Sequence, residues 1–382
     1  MTSLLRDRPA STPEMLAAFG DDALLKAALA FEAALASASA VEGLIPAAAA
    51  DLIAAATKRF DVDIATLADE AAHAGALAIP LVRRLREQVA AQDPAAAAFV
   101  HRGATSQDLA DTALMLQARA GAALISTDAL AVGDALAALA EAHAETPMLG
   151  RTLLQAAQPI TLGLKAAAWM RGLEDARLRF EREATAAIRV QLGGPVGTLA
   201  GLTTRVADVM AADLGLAPAL PWHAQREAVA GLGTALAILT GALGKIAQDI
   251  ALMAQSEVGE AAEPRIEGRG GSSSMPGKRN PTGCQVVLSA ALRAPGLASG
   301  LIAGLPQAHE RDPGGWQAEA PALASLFELA HGALATLRPV VEGLEVDTAA
   351  MARNLAAAGV GADVGHAAEL TRRALAARRA AL

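Results

Sequence analysis

Apolar residues recur at helical spacing along almost the whole chain. Leu24, Ala28, Phe31 and Leu35 form one stripe, with Lys26 and Glu32 off it. Gly43 and Pro46 interrupt the pattern. It resumes over Asp51–Lys58, Ile64–Leu77 and Pro80–Gln92, and Pro94 punctuates again. Proline-free windows then run from Pro94 to Pro147, Pro159 to Pro195 and Pro221 to Pro264. These windows predict long helices over roughly 106–145, 158–190 and 224–257, and two more follow at roughly 282–304 and 321–338. On the first, Leu109, Ala113, Leu116, Ala120 and Ala123 make a stripe of small and medium residues that lets helices approach closely. The pattern predicts an all-α fold: an N-terminal helical domain (1–104), a central long-helix bundle (105–340) with a Gly-rich loop at 259–281, and a short C-terminal helical domain (341–382).

Composition agrees with helices. Of 382 residues, 53% are hydrophobic and only 2% aromatic, with no Tyr, whereas strands favour β-branched and aromatic residues. A net charge of −8 argues against nucleic acid, and it requires any anionic substrate to find a locally positive pocket. No apolar run reaches membrane-spanning length without a charge or a breaker, so no membrane partner is expected. Met1–Pro13 carries Arg6, Asp7, Arg8 and Pro9 and lacks the apolar core of a secretory signal. The single Cys excludes a disulfide framework within the chain and suits the cytoplasm. Long, weakly charged helices predict an oligomer.

Four polar stretches stand out. In Gly270-Gly271-Ser272-Ser273-Ser274-Met275-Pro276-Gly277-Lys278-Arg279-Asn280-Pro281, a loop rich in hydroxyls and cations feeds a helix start suited to an oxyanion or carboxylate. It is not a phosphate-binding P-loop: five residues separate Gly271 from Gly277, Arg279 replaces the Ser or Thr, and a helix precedes it. In His101-Arg102-Gly103-Ala104-Thr105-Ser106-Gln107-Asp108, helix capping by Thr105 and Asp108 explains two residues but not the rest. Thr146 to Gln155 reads as a polar turn between helices, with His143 complementing a helix C-terminus. His309 to Glu319 reads as a loop anchored by Trp316. No zinc spacing is present, so no metal or other cofactor is expected, and Cys284 reads as core.

Together these stretches carry a resemblance. Gly271 to Pro281 resembles the GSSxMPxKxNP signature of the fumarase/aspartase superfamily. Gly103 to Asp108 resembles its TSxD region, and Gly150-Arg151-Thr152 with Gln155 its GRTHxQ region, in matching order. The resemblance implies three mostly helical domains, a central five-helix bundle, a homotetramer, and active sites shared between subunits. By the same resemblance Ser272 transfers the proton, assisted by Lys278. Thr105, Ser106, Gln107, Thr152, Gln155, Ser273, Met275 and Asn280 surround the substrate, with Arg311 a further carboxylate ligand.

The chain departs from the pattern in two places. Leu153 occupies the position of the family's histidine, and the tail after residue 340 is shorter than the usual third domain. Gly150 to Gln155, Pro159 to Lys165, and Glu310-Arg311 with Gly314 to Glu319 are similar to the branch of bacterial 3-carboxy-cis,cis-muconate cycloisomerases. That branch implies intramolecular lactonisation of a tricarboxylate. The alternatives are a lyase of the adenylosuccinate or argininosuccinate type that releases fumarate, and a non-catalytic helical scaffold.

Overall fold

The computed structural model describes residues 4–271, 274–275 and 277–381. The N-terminal part contains α1 (Leu4–Asp7), a 3-10 turn (Arg8–Ala10), α2 (Pro13–Ala18), α3 (Asp21–Val41), α4 (Ala47–Lys58), α5 (Ile64–Ala74), α6 (Ala78–Ala90) and α7 (Pro94–Ala97). Then follow α8 (Ser106–Ala142), a hairpin of β1 (Pro147–Thr152) and β2 (Gln155–Thr161), α9 (Leu162–Ala187), α10 (Thr204–Leu214) and α11 (Glu227–Met253). The chain closes with β3 (Ala261–Ala262), α12 (Thr282–Ala303), α13 (Gly315–Glu342), β4 (Glu345–Val346), α14 (Thr348–Ala358) and α15 (Ala367–Ala381). The all-α expectation is met, and every predicted long helix is present.

Two boundaries differ from the sequence reading, each for a local reason. The segment before α9 is not its first turn but strand β2, antiparallel to β1. Thr161 caps α9 by accepting a hydrogen bond from Leu164 N at 3.1 Å, which sets the start. Helix α13 begins at Gly315 rather than near Pro321, because Gly314 N donates to Gln317 Oε1 at 3.0 Å and closes its first turn. Pro295, Pro321 and Pro339 all lie inside helices, so proline is a weaker breaker here than the pattern assumed.

Helices α8, α9, α11 and α13 pack in a ring, and α12 lies along α11 and α13. Their shared core includes Met115, Ile125, Met170, Phe180, Leu236, Leu243, Phe327 and Leu334, all essentially inaccessible. A second core gathers Phe31, Leu35, Ile53, Leu81, Leu85 and Val100 with Leu109 at the start of α8 and Met210 of α10. Thus α8 passes from one core into the other between Leu109 and Met115. In the tail, α15 packs on α9 and α8 beside the bundle.

By length and composition five helical segments, among them α8, α11, α12 and α13, are apolar enough to cross a membrane. The sequence argument against a membrane therefore excludes only runs wholly free of charge. In α8 and α12 only 28% of the most apolar window is buried within one chain. Leu292 (83% exposed) and Ile302 (49%) belong to the uncovered face of α12.

Candidate active site

The start of α8 is held by Asp108. Its carboxylate is fully buried and accepts from Thr105 N (2.9 Å), Gly193 N (3.0 Å) and Gly194 N (2.9 Å), and His223 Nε2 lies 2.7 Å from it. The capping reading of Asp108 is correct for Thr105 N, but it misses the link to the 193–194 turn and to His223. A single His before a helix has no recognisable spacing, so the sequence pattern gives no sign of His223; only the fold brings it to Asp108.

Gln107, also fully buried, donates from Nε2 to His223 O at 2.9 Å and accepts from Arg311 Nε at 3.0 Å. Arg311 also donates to Thr105 Oγ1 (3.1 Å), Gly194 O (3.4 Å) and Pro195 O (3.2 Å). Thr105, Gln107 and Arg311 are therefore one cluster, with Ser106 beside them as the first residue of α8. The Arg311 guanidinium directs four of its five N–H donors at this frame, so it braces the cluster.

Behind the cluster lies a buried ionic triad absent from the sequence reading. Arg226 forms paired hydrogen bonds to Asp111 (2.8 and 2.9 Å) and reaches Glu319 at 2.5 Å, with Trp222 stacked 4.6 Å from its guanidinium carbon. Burial works to lower the Arg226 pKa, but Asp111 and Glu319 outweigh it, so the group is held charged. The triad ties α8, α11 and α13 together at the end that bears Thr105 and Gln107.

Thr152 and Gln155 face each other at the tip of the β1–β2 hairpin. The two residues between them, Leu153 and Leu154, both adopt left-handed backbone, with φ of 50° and 65°. Asn-Gly is the usual occupant of such a turn, and left-handed backbone costs a non-glycine residue roughly 1–2 kcal/mol. Both leucines project into solvent, 96% and 76% exposed. Arg151 anchors the hairpin through a bidentate pair with the buried Glu260 (2.9 and 2.8 Å), which also accepts from Asn354 (2.8 Å). His143 is the C-cap residue of α8, but burial pushes its pKa down. Its Nδ1 lies 3.1 Å from Thr146 Oγ1, and the same burial opposes the charged form that would complement the helix dipole.

In the signature loop, Ser272, Ser273 and Pro276 lie outside the described residues. Lys278 is exposed, Met275 is 49% exposed, and Asn280 is half-buried. Asn280 N donates to Gly270 O at 2.8 Å, joining the two arms of the loop at its base. Arg279 donates to Glu345 Oε2 (2.7 Å) and to the carbonyl of Glu263. The neighbouring Arg279 lowers the Glu345 pKa.

The start of α12, expected to receive an oxyanion, is already occupied. Glu263 Oε2 accepts from Gly283 N (3.0 Å) and Oε1 from Cys284 N (2.7 Å). Cys284 is fully buried, as its core reading required.

These groups divide between the two ends of the bundle. Thr105, Ser106, Gln107 and Arg311 sit at one end; Thr152, Gln155, Lys278 and Asn280 sit at the other. Helix α12 runs from the loop toward Arg311, and its 22 residues span about 33 Å at roughly 1.5 Å each. One copy of the chain therefore does not, among the described residues, bring its own candidate residues together. Among the described residues no cluster of His, Cys, Asp or Glu has the arrangement of a metal site.

The family model described as Lyase matches residues 8–296. The chain belongs to this lyase family, and its fold is of the fumarase/aspartase type. It is 47% identical to the 3-carboxy-cis,cis-muconate cycloisomerase of Bradyrhizobium diazoefficiens over 90% of this chain and 77% of that protein. It is 42% identical to a nitrosuccinate lyase of Streptomyces davaonensis, over 93% of this chain and 77% of that protein. The crystal structure of 3-carboxy-cis,cis-muconate lactonizing enzyme from Pseudomonas putida superposes with a TM-score of 0.87 at 40% identity, covering 99% of this chain and 88% of that one.

Proposed function

We propose that the chain catalyses cycloisomerisation of 3-carboxy-cis,cis-muconate to 4-carboxymuconolactone, in the protocatechuate branch of the beta-ketoadipate route of aromatic degradation. The observation that carries the reading is the 47% identity to a cycloisomerase across 90% of the chain. The working form is a homotetramer in the cytoplasm. Its copies cover the exposed apolar faces of α8 and α12, and each site combines the Thr105 end of one copy with hairpin and loop ends of others. The separation of those ends within one chain supports this arrangement.

In the lactone-forming direction a substrate carboxylate adds to the conjugated double bond, forming a C–O bond. Charge moves onto a distal carboxyl group as an aci-carboxylate. Ser272 then gives its hydroxyl proton to the adjacent carbon, and the alkoxide regains a proton from water. Lys278 and the loop N–H groups offset the alkoxide charge. Asn280 and Lys278 bind substrate carboxylate. Thr105, Ser106, Gln107, Thr152 and Gln155 supply hydrogen bonds, while Ser273 and Met275 shape the pocket. Arg311 acts by fixing Thr105 and Gln107.

Leu153 is consistent with this chemistry. In the reverse direction the leaving group is the substrate's own carboxylate, with a pKa of about 4, and it departs without an acid. Purified protein is expected to consume 3-carboxymuconate, followed by loss of its absorbance. Adenylosuccinate and nitrosuccinate serve as comparison substrates, and preferential turnover of either would overturn the assignment. Leu153→His is expected to leave lactonisation within a few-fold of the parent. A large gain in rate would show that the reaction does want an acid there.

A further inference from the structure

The buried carboxylate at the start of α12 has no counterpart in the proposed chemistry, yet it sits beside the residues that chemistry uses. Glu263 is 6% exposed and caps α12 through Gly283 N and Cys284 N. Those N–H groups and the positive end of the helix dipole are thereby spent within the chain. The carbonyl of the same residue accepts from Arg279, whose other end is fixed by Glu345. Arg279 stands between Lys278 and Asn280, and Asn280 is joined to Gly270 across the base of the loop. One residue thus ties the α12 start to the exit of the signature loop, and the β3–β4 pairing of Ala261–Ala262 with Glu345–Val346 holds it from the other side.

We infer that Glu263 is a positioning residue for the reaction: it fixes the first turn of α12 and, through Arg279, the placement of Lys278 and Asn280. It follows that α12 stabilises no charge on the substrate directly. The inference rests on the reading that this loop carries the reacting groups. A glutamine at 263 would present one acceptor oxygen and one NH2 group to two N–H donors, so one cap bond would be replaced by a donor–donor clash. A displacement of about 1 Å at catalytic groups lowers rates by up to roughly 100-fold.

The chain's one cysteine reports on the same turn. Cys284 is fully buried, and burial pushes its thiol pKa well up, with Glu263 adding to the effect. The test compares Glu263→Gln, Glu263→Asp and, as a control at an exposed neighbouring glutamate, Glu267→Gln. Each is assayed as the assembled oligomer for kcat and KM on 3-carboxymuconate and for the rate of Cys284 alkylation by iodoacetamide. Glu263→Gln is expected to lower kcat roughly 10- to 100-fold with a smaller change in KM, and to speed alkylation. Glu263→Asp, shorter but still charged, should fall between it and the parent, and Glu267→Gln should match the parent. Parent-like kcat in Glu263→Gln, or alkylation as slow as in the parent, overturns the inference. If Glu263→Gln fails to fold, the same criteria apply to Glu263→Asp. If the parent protein itself does not turn over 3-carboxymuconate, the substrate reading fails separately and alkylation still decides whether Glu263 holds this turn.

Discussion

Ser272→Ala is expected to lower turnover by at least about 1,000-fold while leaving the oligomer intact. Removing the hydroxyl leaves no group at that position to pass a proton to carbon, and neither Ser273 nor Ser274 shares its place after Gly271. In the proposed tetramer the apolar faces of α8 and α12, including Leu292 and Ile302, carry assembly, and the Ser272 hydroxyl is not among those apolar groups. Gln107→Leu should also be strongly impaired, since it removes the amide that links Arg311 to the His223 carbonyl. Gln107, bonded to Arg311, and the base of the loop at Gly270 and Asn280 lie toward opposite ends of α12, whose 22 residues span about 33 Å. Mixed oligomers made by co-expressing the two variants should therefore recover activity, because some sites then draw an intact Gln107 from one chain and an intact Ser272 from another. The double variant in a single chain should recover none. Failure of the mixture, with mixed oligomers verified by differential tagging, would sink the shared-site reading. Near-normal turnover by Ser272→Ala would refute the role of that serine.

How much of this was legible in the sequence depends on the range of the interaction involved. Helix existence was readable because apolar spacing and proline-free windows are local signals. The ends of α9 and α13 were not, since Thr161 and Gln317 fix them through single side-chain bonds that compete with the apparent pattern. The hairpin was hidden for a related reason: Leu153 and Leu154 occupy a turn that Asn-Gly would announce. The signature loop stood out by its composition. What composition could not show is that Glu263, far back in the chain from the α12 start, fills the helix end that seemed open to a ligand. His223, Arg226 and Glu319 are likewise ordinary residues in the sequence and gain meaning only from contacts across the fold.

The second large effect concerns stability. Arg226→Met is expected to destabilise the protein by about 3–5 kcal/mol, because it leaves Asp111 and Glu319 buried without their cation. Arg226 is 1% exposed and lies against Trp222, so water offers those carboxylates little compensation. Glu319→Gln should cost much less. Burial already pushes the Glu319 carboxyl pKa up despite the pull of Arg226, so a neutral side chain there is only a modest change, and Asp111 still balances the arginine. Replacing Arg226, Asp111 and Glu319 together by Met, Leu and Leu should be less harmful than Arg226→Met alone, since no charge is then stranded. Urea midpoints at fixed protein concentration rank the three variants. Arg226→Met as mild as Glu319→Gln would mean that the carboxylates find other partners and that the triad does not hold this end of the bundle. If the triple variant folds well but loses activity, the triad instead serves to place α8, α11 and α13 so that Thr105 and Gln107 meet Arg311, at a cost to stability that a purely apolar core would avoid.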